Sequence, residues 1–186
     1  ITLVTIALLA AGAGYYHAHH QTTDTTVAIV HSATRAVDRL YRNENHSLPA
    51  TNLDAAKIAH AKKILQQVPQ KRLTATQRDQ VAQANSELDD ATQMLTVTAA
   101  TQAPIAATTT YQHSAQKALA AYHQLQQRKP VFTQVYQQPV NELDDAKTAA
   151  EAVTTLQTAK AVTPSAISTT EAAVAKVTPP ADSDFP

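Results

Sequence analysis

The sequence predicts an all-α protein, with an N-terminal membrane-spanning helix followed by two tandem three-helix, bundle-like units. Three observations predict it. The first charged residue is Asp24 and the first basic one Arg35, so the chain opens on a long uncharged stretch, ITLVTIALLAAGAGYY and beyond. From Thr25 to about Val177 the apolar residues then recur at steps of three and four, the helical period. Finally, the order of short motifs in the first half returns in the second.

The opening stretch is read as an anchor over residues 1–21. Crossing a bilayer takes ~20 apolar residues, and a span beginning upstream of Ile1 would supply that length. Tyr15 and Tyr16 stand where interfacial aromatics usually stand. A cleavable signal is the alternative, with Ala11-Gly12-Ala13 as its small-residue cleavage site. A buried core helix is a third reading. Either of the first two places the bulk of the chain outside the cytoplasm, at the cell membrane and single-pass if the anchor is kept.

Each later helix has its own apolar seam. The first is predicted near 25–44, on Val30, Ala33, Val37 and Leu40. A second follows near 52–68, on Ile58, Ala61, Leu65 and Val68, with Thr51 and Asp54 as a capping box. The third, near 75–97, carries Val81, Ala84, Leu88, Ala91 and Leu95, with Thr74 and Gln77 as its box. The fourth, near 106–128, carries Tyr111, Ala115, Ala118, Tyr122 and Leu125. The fifth, near 139–158, carries Leu143, Ala146, Ala150 and Val153. Ile167, Thr170, Val174 and Val177 form the sixth, near 164–177, with Thr163 as cap and Pro164 at the first helical position.

The halves align collinearly. His31-Ser32-Ala33 matches His113-Ser114-Ala115, Leu53-Asp54-Ala55-Ala56-Lys57 matches Leu143-Asp144-Asp145-Ala146-Lys147, and Leu73-Thr74 matches Val162-Thr163. The offset is 82 at the first match and 90 and 89 at the next two, which places an insertion around Lys129 to Gln138. The pattern predicts one unit over 22–100, a second over 101–178, a junction at Thr98 to Pro104, and a Pro-rich linker over 179–186.

Composition removes several function classes. There is no cysteine, hence no disulfide, thiol nucleophile or thiolate-held metal. With 15 basic and 15 acidic residues the formal charge is zero, without the basic excess of a nucleic-acid binder. The two glycines, Gly12 and Gly14, both lie in the opening stretch. Phosphate-cradling loops need glycine for close backbone approach, so nucleotide-binding loops of the common types are excluded.

No residue set is assigned a catalytic, cofactor-binding or metal-binding role. The doublets Asp89-Asp90 and Asp144-Asp145 are read as solvated, because helical neighbours do not face each other. His17, His19 and His20 cluster beyond the apolar stretch but lack the ligand spacing of a closed metal site. His46 falls in a loop, while His31, His60, His113 and His123 fall among helical residues at surface or boundary positions. The dense apolar patch Val131, Phe132, Val135 and Tyr136 is read as folding back into the core. An exposed partner-binding patch is its alternative.

The span ending Gly14-Tyr15-Tyr16, the run Ala36-Val37-Asp38-Arg39-Leu40-Tyr41, the segment LDAAKIAHAKKIL from Leu53 to Leu65, and Leu73 to Leu95 together resemble the mid-cell-anchored protein Z (MapZ) family of Gram-positive bacteria. The resemblance implies a division-site organiser whose extracellular part contacts peptidoglycan. The cytoplasmic part of that family, which binds the division GTPase, has no counterpart in these residues, and no family binding residue maps onto a position here. The expectation is a non-enzymatic extracellular module of a membrane-anchored protein, with no cofactor, no nucleotide and no nucleic acid. Its expected partners are the membrane through the N-terminal segment, and peptidoglycan or another cell-surface protein. The alternative is an adhesin-like helical stalk or spacer that binds a protein partner.

Overall fold

A computed structural model describes residues 25–177, so the anchor expected over residues 1–21 and the linker expected over 179–186 lie outside the described residues. The described chain is all-helical, with no β-strand, and none of its helices is long and apolar enough to cross a membrane. Helix α1 covers 25–38, α2 Ala55–Gln66, α3 Ala75–Thr101, α4 Thr109–Arg128, α5 Pro130–Val135, α6 Gln137–Thr158 and α7 Pro164–Val174. A 3₁₀ turn, Gln70–Arg72, precedes α3.

Local signals account for most boundaries. Thr74 and Gln77 form a reciprocal capping box at α3: Thr74 N donates to Gln77 Oε1 at 2.9 Å, and Gln77 N to Thr74 Oγ1 at 3.3 Å. Thr108 caps α4 by accepting from Tyr111 N, and Thr163 caps α7 by accepting from Ala166 N. At α2 the cap is Asp54, which accepts from Lys57 N at 2.8 Å, and Thr51 instead accepts from Arg42 Nη2. The helix therefore starts three residues later than a Thr51 cap would have set it. Helix α1 ends earlier than predicted, at 38, because Leu40 N and Tyr41 N close short turns onto Val37 O and Asp38 O. The insertion around Lys129 to Gln138 is itself helical: α5 opens with Pro130 at its first turn, where a missing N–H costs nothing.

Two compact units divide within α3. Among the described residues, unit 1 comprises 25–46 and Ala50–Asp89, and unit 2 comprises Ser47–Pro49 and 90–177. The segment Thr98 to Pro104, expected as the junction, lies within unit 2 and holds the end of α3, which continues to Thr101 before the chain turns ahead of Pro104.

In unit 1 most of the predicted seam positions are buried: Val30, Ala33 and Val37 on α1, Leu40 just past its end, Ala61 and Leu65 on α2, and Val81, Ala84 and Leu88 on α3, whereas Ile58 of α2 is half-buried. Val68 and Leu73 close the connection between α2 and α3. In unit 2, Tyr111, Ala115 and Ala118 of α4 pack with Leu143, Ala146 and Ala150 of α6 around Ala100. Alanines at this seam let two helices approach closely, and the shape of the contact replaces side-chain bulk. Gln112 Nε2 adds a bond to Thr154 Oγ1 at 2.9 Å between the same two helices.

Two seams drift. On α3 the buried line leaves Leu95 half-exposed and continues through Met94 and Val97, because a straight helix turns 3.6 residues per turn and slips off a strict heptad. On α7 the predicted seam is displaced. The face turned inward is Ala166, Thr170, Ala173 and Val177, all half-buried, while Ile167 and Val174 are 41% and 47% exposed. Here α6 accepts the flatter alanine–threonine face.

Candidate functional site

Unit 1 carries the most developed surface features. Helices α1 and α2 wall a groove beside their buried seams. Arg35 and Ala36 come from α1, Arg39 and the buried Leu40 from the turn that follows it, and Ala56, Lys57, His60 and Ile64 from α2. Together with Ala28 and Ser32 they line an open groove of about 710 Å³, a size typical of ligand sites. Its floor is aliphatic and its rim cationic. Asp54 is the groove's lone acid, and it is spent on capping α2 and on Lys57, whose Nζ lies 3.7 Å from Asp54 Oδ2. The guanidinium groups of Arg35 and Arg39 have no ion-pair or side-chain hydrogen-bond partner among the described residues.

A second cluster organises the loop after α1. His46 adopts φ 52°, the left-handed region that a non-glycine residue enters at a cost. No glycine is at hand to take that position, and contacts hold the histidine there instead. Its ring stacks on Tyr41 with centroids 4.3 Å apart. Asp38 Oδ1 lies 3.1 Å from Nε2, and Glu87 Oε2 lies 3.4 Å from Nδ1. Tyr41 Oη donates to the Glu87 carbonyl, tying the loop to α3. The carboxylates face opposite ring nitrogens and cannot converge on one cation. With the Tyr41 ring on its face and a carboxylate beside each nitrogen, His46 is held at three points.

The doublet Asp89-Asp90 on α3 separates. Asp89 is exposed, but Asp90 is 3% exposed and answers two cations, Arg128 Nη1 at 2.9 Å from Oδ1 and Lys129 Nζ at 3.7 Å from Oδ2. The solvated reading therefore holds for Asp89 and is corrected for Asp90. Adjacent helical residues point 100° apart, and that rotation puts one in water and the other against the end of α4. Lys129 is 6% exposed, so the pair is desolvated and structural. Asp144 is exposed and Asp145 half-exposed.

The apolar patch of the insertion is split. Phe132 is fully buried and stacks on half-buried Tyr136 at 4.5 Å, while Val131 and Val135 are exposed. Tyr122 Oη donates to the Thr133 carbonyl at 2.8 Å and fixes α5 against α4. Burial raises the hydroxyl pKa of both Tyr111 and Tyr122 above the ordinary 10.0.

His31, His60, His113 and His123 are exposed, and His17, His19 and His20 lie outside the described residues. Among the described residues no group of three or more His, Cys, Asp or Glu side chains is arranged to hold a metal ion.

One feature escaped composition. From Ala55 to Arg78 the chain holds Lys57, Lys62, Lys63, Lys71, Arg72 and Arg78, and no acid. Lys62, Lys63, Lys71, Arg72 and Arg78 are all exposed. The zero total charge concealed this run, and a charge count taken in windows finds it. No protein-family model, curated protein or solved structure matches the chain.

Proposed function

We propose that the chain is a non-enzymatic extracellular module of a membrane-anchored bacterial surface protein, a division-site organiser that contacts peptidoglycan. The observation that carries this reading is the exposed basic run of α2, the 3₁₀ turn and the start of α3: Lys62, Lys63, Lys71, Arg72 and Arg78, with no acidic residue among them. Peptidoglycan stem peptides carry carboxylates, and a repeating anionic polymer is held by several exposed cations acting together rather than by one deep pocket. The uncharged stretch ahead of Asp24 supports placement at the membrane with the helices outside.

The test is co-sedimentation of the full chain with purified peptidoglycan. Binding is expected at low salt and should weaken as salt rises. Lys62→Glu, Lys63→Glu, Lys71→Glu and Arg72→Glu in one chain should abolish it while leaving the helical circular dichroism spectrum unchanged. Absence of binding by the unaltered chain, or binding indifferent to the four reversals, refutes the reading. The second reading is a helical stalk that binds a protein partner, and the exposed Ile167 and Val174 of α7 favour it.

A further inference from the structure

We infer that the groove between α1 and α2 receives helix α7 of a second copy of this chain, so that copies associate through unlike surfaces. The inference goes beyond wall contact and uses neither Lys62, Lys63, Lys71 nor Arg72.

Three features of the two surfaces match. The first is shape. A groove walled by two helices takes a third helix lying along it. The α1 side runs from Ala28 to Arg39, about 16 Å at 1.5 Å per residue. Helix α7 has 11 residues and is therefore about as long.

The second is polarity along the helix. Ile167, Glu171 and Val174 are exposed and spaced i, i+4, i+7, hence on one face of α7. That face is apolar at both ends and acidic in the middle. The groove offers both chemistries, with half-buried Ala36 and Ile64 as aliphatic lining and exposed Arg35 and Arg39 as cations.

The third is charge. Glu171 has no side-chain partner among the described residues, and neither have Arg35 and Arg39. A guanidinium binds a carboxylate in a two-point fork, and two arginines one turn apart offer that fork along the groove. The opposite face of α7, through Ala166, Thr170, Ala173 and Val177, is the one turned inward within its own unit, so docking would leave that packing in place.

The two surfaces differ and lie on different units, one on unit 1 and one on unit 2. Such a contact closes into a ring or reciprocal dimer, or propagates as a chain.

The test is sedimentation velocity on the full chain in non-ionic detergent over a range of concentrations. The unaltered chain should exceed monomer mass as concentration rises. A groove variant, Arg35→Glu with Arg39→Glu, should remain monomeric, as should a helix variant, Ile167→Asp with Val174→Asp. An equimolar mixture of the two should recover a one-to-one complex, because each supplies the surface the other lacks. All four positions are exposed, and circular dichroism confirms that each variant is folded. A monomeric unaltered chain overturns the inference. So does association that persists in either variant alone, which would place the contact elsewhere, and so does a mixture that fails to associate.

Discussion

Replacing Phe132 by alanine should remove a large part of the stability of unit 2. Phe132 is fully buried on a helix of only six residues, α5, which has no side-chain cap. A buried aromatic ring withdraws roughly 150–250 Å² from water. At about 25 cal/mol per Å² that is roughly 4–6 kcal/mol of transfer free energy. The alanine methyl retains some of it and neighbours relax partly into the space, leaving a cost of about 3–5 kcal/mol. The stacking contact with Tyr136 is lost as well. Single domains hold only about 5–15 kcal/mol in total, so the denaturation midpoint should fall steeply. The controls are Val131→Ala and Val135→Ala in the same segment, 44% and 57% exposed, which should stay within about 0.5 kcal/mol of the unaltered chain. The assay is urea denaturation followed by circular dichroism, with the slope of the transition checked for constancy. If Phe132→Ala shifts the midpoint no more than Val135→Ala does, the burial argument for this segment is wrong.

Leu88→Ala, at a buried position 5% exposed in the clearest seam of α3, should cost about 2–5 kcal/mol, read by the same denaturation. At His46 the cost of the left-handed backbone can be separated from the clasp: His46→Ala and His46→Gly both lose the ring contacts, yet glycine accepts φ 52° freely, so the alanine variant should be less stable by about 1 kcal/mol. Equal stability of the two would mean that the loop changes conformation once the ring is gone. For Tyr111 and Tyr122, burial favours the neutral hydroxyl and raises the folded-state pKa above the unfolded value. The stability this contributes is fully present below the unfolded tyrosine pKa and is lost as pH rises through the folded one. Alkaline titration of tyrosinate absorbance should show a late phase coincident with helix loss, and Tyr122→Phe should diminish that phase. A single phase preceding any unfolding refutes it.

Where one helix carried enough information about itself, the sequence settled the structure. Val30, Ala33, Val37 and Leu40 recur at the helical period and are buried. The Thr74–Gln77 box and the Thr163–Pro164 start are bonds between near neighbours, and both form as the residue types dictate. The all-α class followed from these signals alone.

Features that require two distant segments to meet were not legible. Asp90 is indistinguishable from Asp89 in sequence, and only the arrival of Arg128 and Lys129 at the end of α4 makes its burial tolerable. Ile167 and Val174 lie on a helical seam as good as any other, yet α6 takes the alanine–threonine face beside them, because packing between helices rewards fit as well as hydrophobicity. The left-handed turn at His46 has no glycine to announce it, since it is held by Tyr41, Asp38 and Glu87 from elsewhere in unit 1. The groove between α1 and α2 exists only once two helices lie side by side. Period and capping are properties of a single stretch of chain, so the sequence by itself determined the helices; partners, burial of charge and the exposed face of α7 depend on which stretches come together, and only the tertiary structure decided them.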